Sequence, residues 1–401
     1  MSKTNRLVDL LNQGVSEVIV KSELKKLLIK KSKLRLKMGF DPSAPNIHLG
    51  HVVGLRKLRQ FQEFGHTVVL IVGDWTAQIG DPSGQSATRK MLTATEVEEN
   101  AETYLKQFFK IVDKEKTEVR WQSEWFGNFD LAKVIELTSL FTVAQFLARD
   151  DFSKRFKQQK PIAIVEFLYP LLQAYDSVAI KSDIEFGGTD QKFNLLIGRD
   201  MQEIMGQKPQ HCVLVPILVG TDGVNKMSKS LNNTIDVSEP ANNMYGKIMS
   251  INDDLIVPYF ELLTDLSGQA FIDKKHAILN KTVNPMELKK ELARTIVKDV
   301  YDELDANNAS INFKNTVQSK EVPANISEFA LPTSEVDVNK RLSSILVSSG
   351  LSQSLGQAKR LIDQRAVTLD GEIVEENLSV VEIKPGILRV GKRKIVRLTK
   401  P

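Results

Sequence analysis

Two apolar stretches constrain the fold more than any other feature of this chain: "TVVLIVGD" (67–74) and "HCVLVPILVG" (211–220). A continuous run of aliphatic residues bounded by turn signals reads as a strand covered on both faces, as in a parallel sheet. Between them, strand and helix patterns alternate. "LRLKMGF" (34–40), "TEVRW" (117–121) and "DIEFGG" (183–188) are further strand candidates. After the first comes "LGHVVGLRKLRQFQEFG", in which Val52, Leu55, Leu58 and Phe61 recur every third residue, with Gly65 as a C-terminal cap. "TATEVEENAETYLKQFFKIV" opens on a capping box at Thr95 and Glu98, a helical stretch is expected from about 130 to 180, and "FNLLIGRDMQEIMG" is another helix. The alternation predicts an α/β fold with a mostly parallel, doubly wound sheet.

After Gly220 the texture changes. Residues from about 235 to 328 read as helical and polar, and "SEFALPTSEVDV" (327–338) as a linker. Beyond it lie two short helices, "NKRLSSILVSSG" and "SLGQAKRLIDQ", then "AVTLDGEIV" with an Asp370-Gly371 hairpin turn. Three domains are expected: 1–231 with a helical insertion, 232–328, and 339–401 after a linker at 329–338. At 401 residues and 42% hydrophobic, the chain has material for more than one core. No apolar run of membrane-spanning length and no secretory signal pattern appears, and a single cysteine, Cys212, sits within a strand candidate. A cytoplasmic protein is expected. The formal charge of +4 is uneven, because residues 384–401 carry seven Lys/Arg and no acid. Such a stripe tracks phosphates, or blunts an exposed edge strand.

The segment "GFDPSAPNIHLGH" (39–51) runs from a strand end through a Pro-rich turn into a helix. A helix N-terminus at the carboxyl end of a parallel strand offers free N–H groups to an anion. His48 and His51 stand on its first turn. Metal ligation would need three or four ligands, and no second His/Cys cluster lies nearby. The histidines are hydrogen-bond donors to phosphate or ribose, or merely helix caps. "KMSKS" (226–230) follows the last strand and sets two lysines three residues apart beside small hydroxyl residues, a cationic loop fit to close over phosphates or simply a solvated surface loop. "YPLLQAYD" places Tyr169, Gln173 and Asp176 on one helical face.

The pair His-x-Gly-His and Lys-Met-Ser-Lys-Ser resembles the signature of class I aminoacyl-tRNA synthetases. Together with "GDPSG" (80–84), "YPLLQAYD" and "GGTDQ" (187–191), the chain resembles the tyrosyl branch of that family from about residue 34 onward. The resemblance implies a Rossmann-like catalytic domain, a helical domain that contacts the anticodon arm, a homodimer joined through 137–152, and Mg²⁺-assisted use of ATP. It assigns Asp81, Tyr169 and Gln173 to the α-ammonium of L-tyrosine, Asp176 to the phenol, Gln191 to the carboxyl and Asp190 to the ribose. It assigns Ser43, His48, His51, Lys226 and Lys229 to catalysis, and Gly39, Asp41, Gly50, Gly188, Met227 and Ser228 to the ATP surface. The C-terminal part resembles the S4-type RNA-binding module. There Lys359, Arg360 and Arg365, with Lys392, Arg393 and Lys394 of the basic stripe, are candidates for contact with tRNA(Tyr).

One departure stands out. Many family members carry a tyrosine in the first strand that also contacts the phenol, and Lys37 occupies that position here. Lys37 can donate to the phenol, pair with Asp176, or point elsewhere. Two alternatives to the tyrosyl reading are a tryptophanyl-specific enzyme, which shares both signatures, and a non-catalytic RNA-binding relative.

Overall fold

A computed structural model describes residues 3–30, 33–82, 92–318, 326–331, 341–378, 382–391 and 394–400. The chain divides into two compact units, Met1–Ala306 and Asn307–Pro401.

The first unit is built on a six-stranded sheet: β1 Glu17–Ile19, β2 Arg35–Phe40, β3 Thr67–Val72, β4 Thr117–Trp121, β5 Ile184–Gly188 and β6 His211–Val215, in the order β1-β6-β5-β2-β3-β4. β2 to β6 are mutually parallel, whereas β1 runs antiparallel on the edge with Glu17 opposite Leu214. All six residues of β3 are buried, as the unbroken apolar run requires. The strand order reverses between β2 and β5, so the crevice at their carboxyl ends is the topological switch point where α/β sheets bind ligands.

The helices are α1 Lys3–Leu10, α2 Lys21–Lys30, α3 Leu49–Glu63, α4 Thr76–Ile79, α5 Ala94–Phe108, α6 Ser123–Phe126, α7 Leu131–Ser139, α8 Val143–Leu147, α9 Asp150–Lys157, α10 Ile164–Ala179 and α11 Lys192–Ile204. α12 Ala241–Met249, α13 Ile256–Leu263, α14 Gly268–Leu279 and α15 Pro285–Val300 continue the first unit, and α16 Glu303–Phe313 crosses into the second. α3 buries Val52, Leu55, Leu58 and Phe61, the residues its periodicity marked.

Three local readings change. α5 begins two residues earlier than expected. Thr93, not Thr95, caps it: its hydroxyl accepts from Glu96 N at 3.3 Å, and Glu96 Oε2 accepts from Thr93 N at 2.8 Å. The helical stretch expected at about 130–180 is divided into four helices; Asp130 caps the first and Thr142 caps the second. β6 ends at Val215 because Pro216 has no N–H for the ladder.

The insertion α7–α9 packs Leu137, Phe141, Phe146 and Phe152 against Leu171 and Ala174 of α10 and Ile197 and Met201 of α11. Its other face leaves Leu131, Ile135, Val143 and Phe156 exposed.

The second unit contains a sheet β7-β11-β10-β8-β9, formed by β7 Glu328–Ala330, β8 Val367–Leu369, β9 Glu372–Ile373, β10 Gly386–Val390 and β11 Lys394–Thr399. α17 Leu342–Ser348 and α18 Leu355–Asp363 close its core over Leu346, Ile362, Val367 and Leu388. β7 lies inside the segment expected as a linker. The basic stripe holds β10 and β11, both interior to the sheet, so it is not an edge strand. Asp370 and Gly371 both have positive φ, the hairpin turn that their dipeptide announces. Among the described residues, no helix is long and apolar enough to cross a membrane.

Candidate active site

The loop from β2 to α3 is held from outside by α5. Gln107 Oε1 accepts from Ile47 N at 3.0 Å, its Nε2 donates to Pro45 O at 3.1 Å, and Asn100 Nδ2 donates to Pro42 O at 3.0 Å. Tyr104 bonds Ser43, and burial pushes its hydroxyl up to about 12. This bracing aims the first turn of α3 into the switch-point crevice.

His48 is the N-cap of that helix. Its Nδ1 accepts from Gly50 N at 3.1 Å, and His51 Nδ1 accepts from His48 N at 3.3 Å. Gly50 is required because a Cβ there would lie 2.9 Å from the His48 ring. With both Nδ1 atoms acting as acceptors, a neutral ring carries its proton on Nε2. Both rings are neutral at pH 7. Burial, aided by the neighbouring ring and the Lys229 ammonium, lowers His48 to about 2; burial and Lys229 lower His51 to about 4. The geometry therefore presents two Nε2–H donors and no proton acceptor of ordinary basicity.

The second signature docks onto the first through the backbone. Leu49 N donates to Ile235 O and Val237 N to Ile47 O, both at 2.9 Å, while Met227 N donates to Leu218 O at 2.8 Å. Lys229 Nζ donates to Asn46 O, and burial lowers its pKa. Exposed Lys226 reaches Asp190 at 3.5 Å. Asn233 fastens the loop: its Oδ1 accepts from Ser228 N at 2.7 Å, and its Nδ2 donates to Lys226 O and Asp222 at 3.0 Å. Two lysines and two histidine donors thus converge at one end of the crevice.

At the other end, Asp176 on α10 is fully buried. Gln122 Nε2 donates to one oxygen at 2.9 Å and Trp125 Nε1 to the other at 3.1 Å. Thr76 fixes the Gln122 amide by donating to its Oε1 from both N and Oγ1 at 3.0 Å. Burial pushes Asp176 up to about 7, against the pull of the Lys37 ammonium and the Gln122 donor. Tyr169 donates to Asp41 Oδ2 at 2.7 Å, and its own hydroxyl is held far above the usual range by burial and by Asp41. Asp81 accepts from Gln191 Nε2 at 2.6 Å, and Asn194 Nδ2 bridges Gln191 Oε1 and Gln173 Oε1 at 3.0 Å each.

The two ends belong to one cavity of ≈ 670 Å³, with His48, His51, Lys226 and Lys229 on its wall at one end and Gln122, Tyr169 and Asp176 at the other. Every amino-acid, ATP and catalytic position predicted from sequence lies on it except Lys37. That side chain is fully buried behind the wall and paired with Glu185 at 2.9 Å. Of the three possibilities for Lys37, it points elsewhere.

Sequence reasoning missed Gln122, Trp125, Asn194 and Glu185. Gln122 and Trp125 lie just past the carboxyl end of β4, the side of a parallel sheet where ligands bind, so their position was the available signal. In the second unit, Lys359, Arg360, Arg365 and Lys394 are exposed, with Arg365 paired to Glu375 at 3.2 Å. Lys392 and Arg393 lie outside the described residues.

The family model for class I tRNA synthetases (W and Y) matches residues 30–318, and that for the S4 domain matches 340–380. The tyrosine–tRNA ligase of Dehalococcoides mccartyi strain CBDB1 is 56% identical over 390 residues, covering 97% of this chain and 98% of that protein. The tyrosine–tRNA ligase of Thermotoga maritima is 49% identical over 393 residues, covering 98% and 97% respectively. The structure of tyrosyl-tRNA synthetase complexed with L-tyrosine from Archaeoglobus fulgidus superposes with a TM-score of 0.61 at 23% identity, covering 77% of this chain and 99% of that one; it supports the fold alone.

Proposed function

The chain belongs to the tyrosine–tRNA ligases of the class I synthetase family, and from that premise we infer how its cavity activates L-tyrosine with ATP and then esterifies tRNA(Tyr). The tyrosine carboxylate attacks the α-phosphorus of ATP; the bond to the bridging oxygen breaks, and pyrophosphate leaves. Tyrosyl adenylate then yields its acyl group to a ribose hydroxyl of the terminal tRNA adenosine, releasing AMP.

The first step needs no general base, because a carboxylate is already a nucleophile at neutral pH. It needs in-line placement and stabilisation of charge growing on the departing pyrophosphate. His48 Nε2–H, with Ser43, donates to the far phosphate, and His51 Nε2–H serves the nucleotide side. Both stay neutral, so neither competes with Lys226 and Lys229 as a cation. The two lysines close on the phosphates, exchanging Asp190 and Asn46 O for phosphate oxygens. Gly39, Asp41, Gly50, Gly188, Met227 and Ser228 form the nucleotide surface, and Asp190 accepts from the ribose. ATP arrives as its Mg²⁺ complex. The ion belongs to the substrate in this reading, since the described residues offer no cluster of three His, Cys, Asp or Glu groups to hold a resident metal.

One observation carries the choice of amino acid: Asp176, at the far end of the cavity, is a buried carboxylate held, among the described residues, by two neutral donors and no direct cationic partner. A phenol O–H supplies a third donor. Phenylalanine would bring apolar edge atoms against that carboxylate and leave it short of a donor. Asp81, Tyr169 and Gln173 receive the α-ammonium, and Gln191 lies by the carboxyl group. The test is pyrophosphate exchange into ATP. Tyrosine should support it, tryptophan should not, and phenylalanine should be at least about 10²-fold poorer in kcat/KM. Exchange driven equally by phenylalanine, or by no amino acid, rejects the assignment.

The remaining partners follow in the same reading. Exposed Lys359, Arg360, Arg365 and Lys394, together with Lys392 and Arg393, contact tRNA phosphates, and the helical segment 232–328 meets the anticodon arm. The protein works as a homodimer in the cytoplasm. Support for the dimer comes from the exposed apolar face of the insertion, where Leu131 is 75%, Ile135 60% and Val143 61% exposed.

A further inference from the structure

Behind the amino-acid end of the cavity lies a buried ion pair that the reaction itself does not use. Lys37 and Glu185 are Cα partners on the adjacent parallel strands β2 and β5, and both side chains are fully buried. All three ammonium donors are engaged: to Glu185 Oε1 at 2.9 Å, to Gln173 O at 2.7 Å and to Ser177 Oγ at 2.7 Å. Both carboxylate oxygens are engaged as well. Oε1 also accepts from Gln173 Nε2 at 3.2 Å, and Oε2 accepts from Ser177 Oγ at 3.2 Å and from Gln210 Nε2.

The contacts converge. Among the described residues, apart from Gln210, every partner of the pair belongs to Gln173 or Ser177, two residues one turn apart on α10. Asp176 stands between them on that turn. Glu185 and Asn194 grip the two ends of the Gln173 amide and so fix its orientation. Space has been kept for the cluster. A Cβ at Gly198, on α11, would lie 2.8 Å from Gln210 Nε2 and 3.2 Å from both Glu185 Oε2 and Ser177 Oγ.

Stability alone explains this poorly, since a buried ion pair is matched or exceeded in stability by apolar residues of similar volume. We propose that the Lys37–Glu185 pair is a positioning element of the amino-acid pocket: it clamps the turn 173–177 that presents Gln173 and Asp176 to the substrate, and it sets the charge balance behind the carboxylate that receives the phenol. The proposal rests on the reading of that pocket given above. It accounts for a lysine where a substrate-contacting residue was expected: Lys37 acts one layer back, through the helix.

Among the described residues, Lys37 faces Asp176 from β2 and Glu185 from β5, Tyr169 stands on its own helix, and Asp41 and Asp81 line the same cavity, Asp81 with Arg149 at 3.8 Å. The direct partners of Asp176, Gln122 and Trp125, are neutral. Removing the cation and removing the anion therefore act on Asp176 in opposite senses, which a purely structural pair does not do. The cation favours ionised Asp176 and Glu185 disfavours it.

The experiment compares the parent, Lys37→Met, Glu185→Gln and the double variant in tyrosine-dependent pyrophosphate exchange across pH. In Lys37→Met the pH midpoint of kcat/KM for tyrosine should move up by about half a pH unit or more. In Glu185→Gln it should move down. The double variant should bring the midpoint back toward the parent while KM for tyrosine stays raised about tenfold and KM for ATP changes less than about twofold. Midpoints that stay put or move in the same direction overturn the proposal, as does an unaltered KM for tyrosine in the double variant. Glu185→Gln is nearly isosteric and keeps one acceptor oxygen, which serves either Lys37 and Gln173 or Ser177 and Gln210. If Lys37→Met fails to fold, the downward displacement in Glu185→Gln decides alone. A parent without tyrosine-dependent exchange rejects the pocket assignment. A parent that exchanges normally beside unmoved variants rejects only the role of the pair.

Discussion

Replacing His48 separates two jobs that its ring performs at once. Nδ1 accepts from Gly50 N at 3.1 Å and caps α3, leaving Nε2–H as the donor to the leaving phosphates. His48→Ala removes both. Loss of the cap costs about 1 kcal/mol, which for a unit of this size lowers Tm by a few degrees. Loss of one donor to charge that develops only in the transition state costs about 3 kcal/mol, or roughly 10²-fold in kcat. His48→Asn keeps the cap, because an asparagine Oδ1 at the N-cap accepts the same amide proton, and its Nδ2 gives a donor that is shorter in reach. The expected pattern is a normal Tm with an intermediate rate for Asn, against a lowered Tm and the slowest rate for Ala. Single-turnover adenylate formation measures the rate, equilibrium tyrosine binding measures the ground state, and thermal unfolding measures the cap. Tyrosine affinity should change less than about threefold in both variants. A loss confined to tyrosine affinity, with the turnover step at its parental speed, would refute the transition-state role. The neutral state of the rings adds a condition. Because His48 lies at about 2 and His51 at about 4, kcat should show no imidazole limb between pH 7 and about pH 5. The same depression has a stability consequence: the unfolded chain takes up these protons below pH 6.5 and the folded chain does not, so stability falls as the pH drops from there toward 4.

Three further outcomes are expected. Since Asp176 is raised to about 7 in the free protein, kcat/KM for tyrosine should fall as pH drops through 7, and Asp176→Asn should abolish that limb while lowering kcat/KM about 10- to 100-fold; a limb that survives the substitution assigns it to another group. Exchanging Lys226 and Lys229 together for alanine should slow activation at least about 10²-fold, read by pyrophosphate exchange, and an unchanged rate contradicts the phosphate-closing role of the loop. Lys359→Glu with Arg360→Glu should raise KM for tRNA about tenfold and flatten its salt dependence without altering pyrophosphate exchange, because neither residue lines the cavity; equal salt slopes for parent and variant count against phosphate contact.

The skeleton of the site was legible because its signals are local. Val52, Leu55, Leu58 and Phe61 mark the buried face of α3 by spacing alone, and the apolar run of β3 announces a strand covered on both sides. The resemblance carried by the motifs assigned His48, Lys226 and Asp176 to one site, and all three line one cavity. The edge strand β1 escaped because its three residues are all half-buried and carry no alternation, so only pairing with β6 makes them a strand. The cap of α5 moved for a similar reason. Both Thr93 and Thr95 begin a Thr-x-x-Glu pattern, and the choice between them depends on where the preceding loop delivers the chain.

The polar layer behind the site was illegible for a deeper reason. Asp176 finds Gln122 across 54 positions and Trp125 across 51, while Lys37 finds Gln173 and Ser177 across 136 and 140. No periodicity links such residues. Yet Lys37 and Glu185 did leave a mark, since each is a full charge in the middle of a strand that the alternation of elements requires to be covered on both faces. A buried charge must find a counter-charge or hydrogen-bond partners nearby. With one such cation on β2 and one such anion on β5, and with those strands adjacent at the reversal of strand order, the pairing follows from topology. The strand order was the missing premise. Once it is known, the one residue that departs from the expected site pattern becomes the one whose partner can be deduced, and its distance from the cavity explains why the substrate end of the pocket is completed by Gln122 and Trp125 instead.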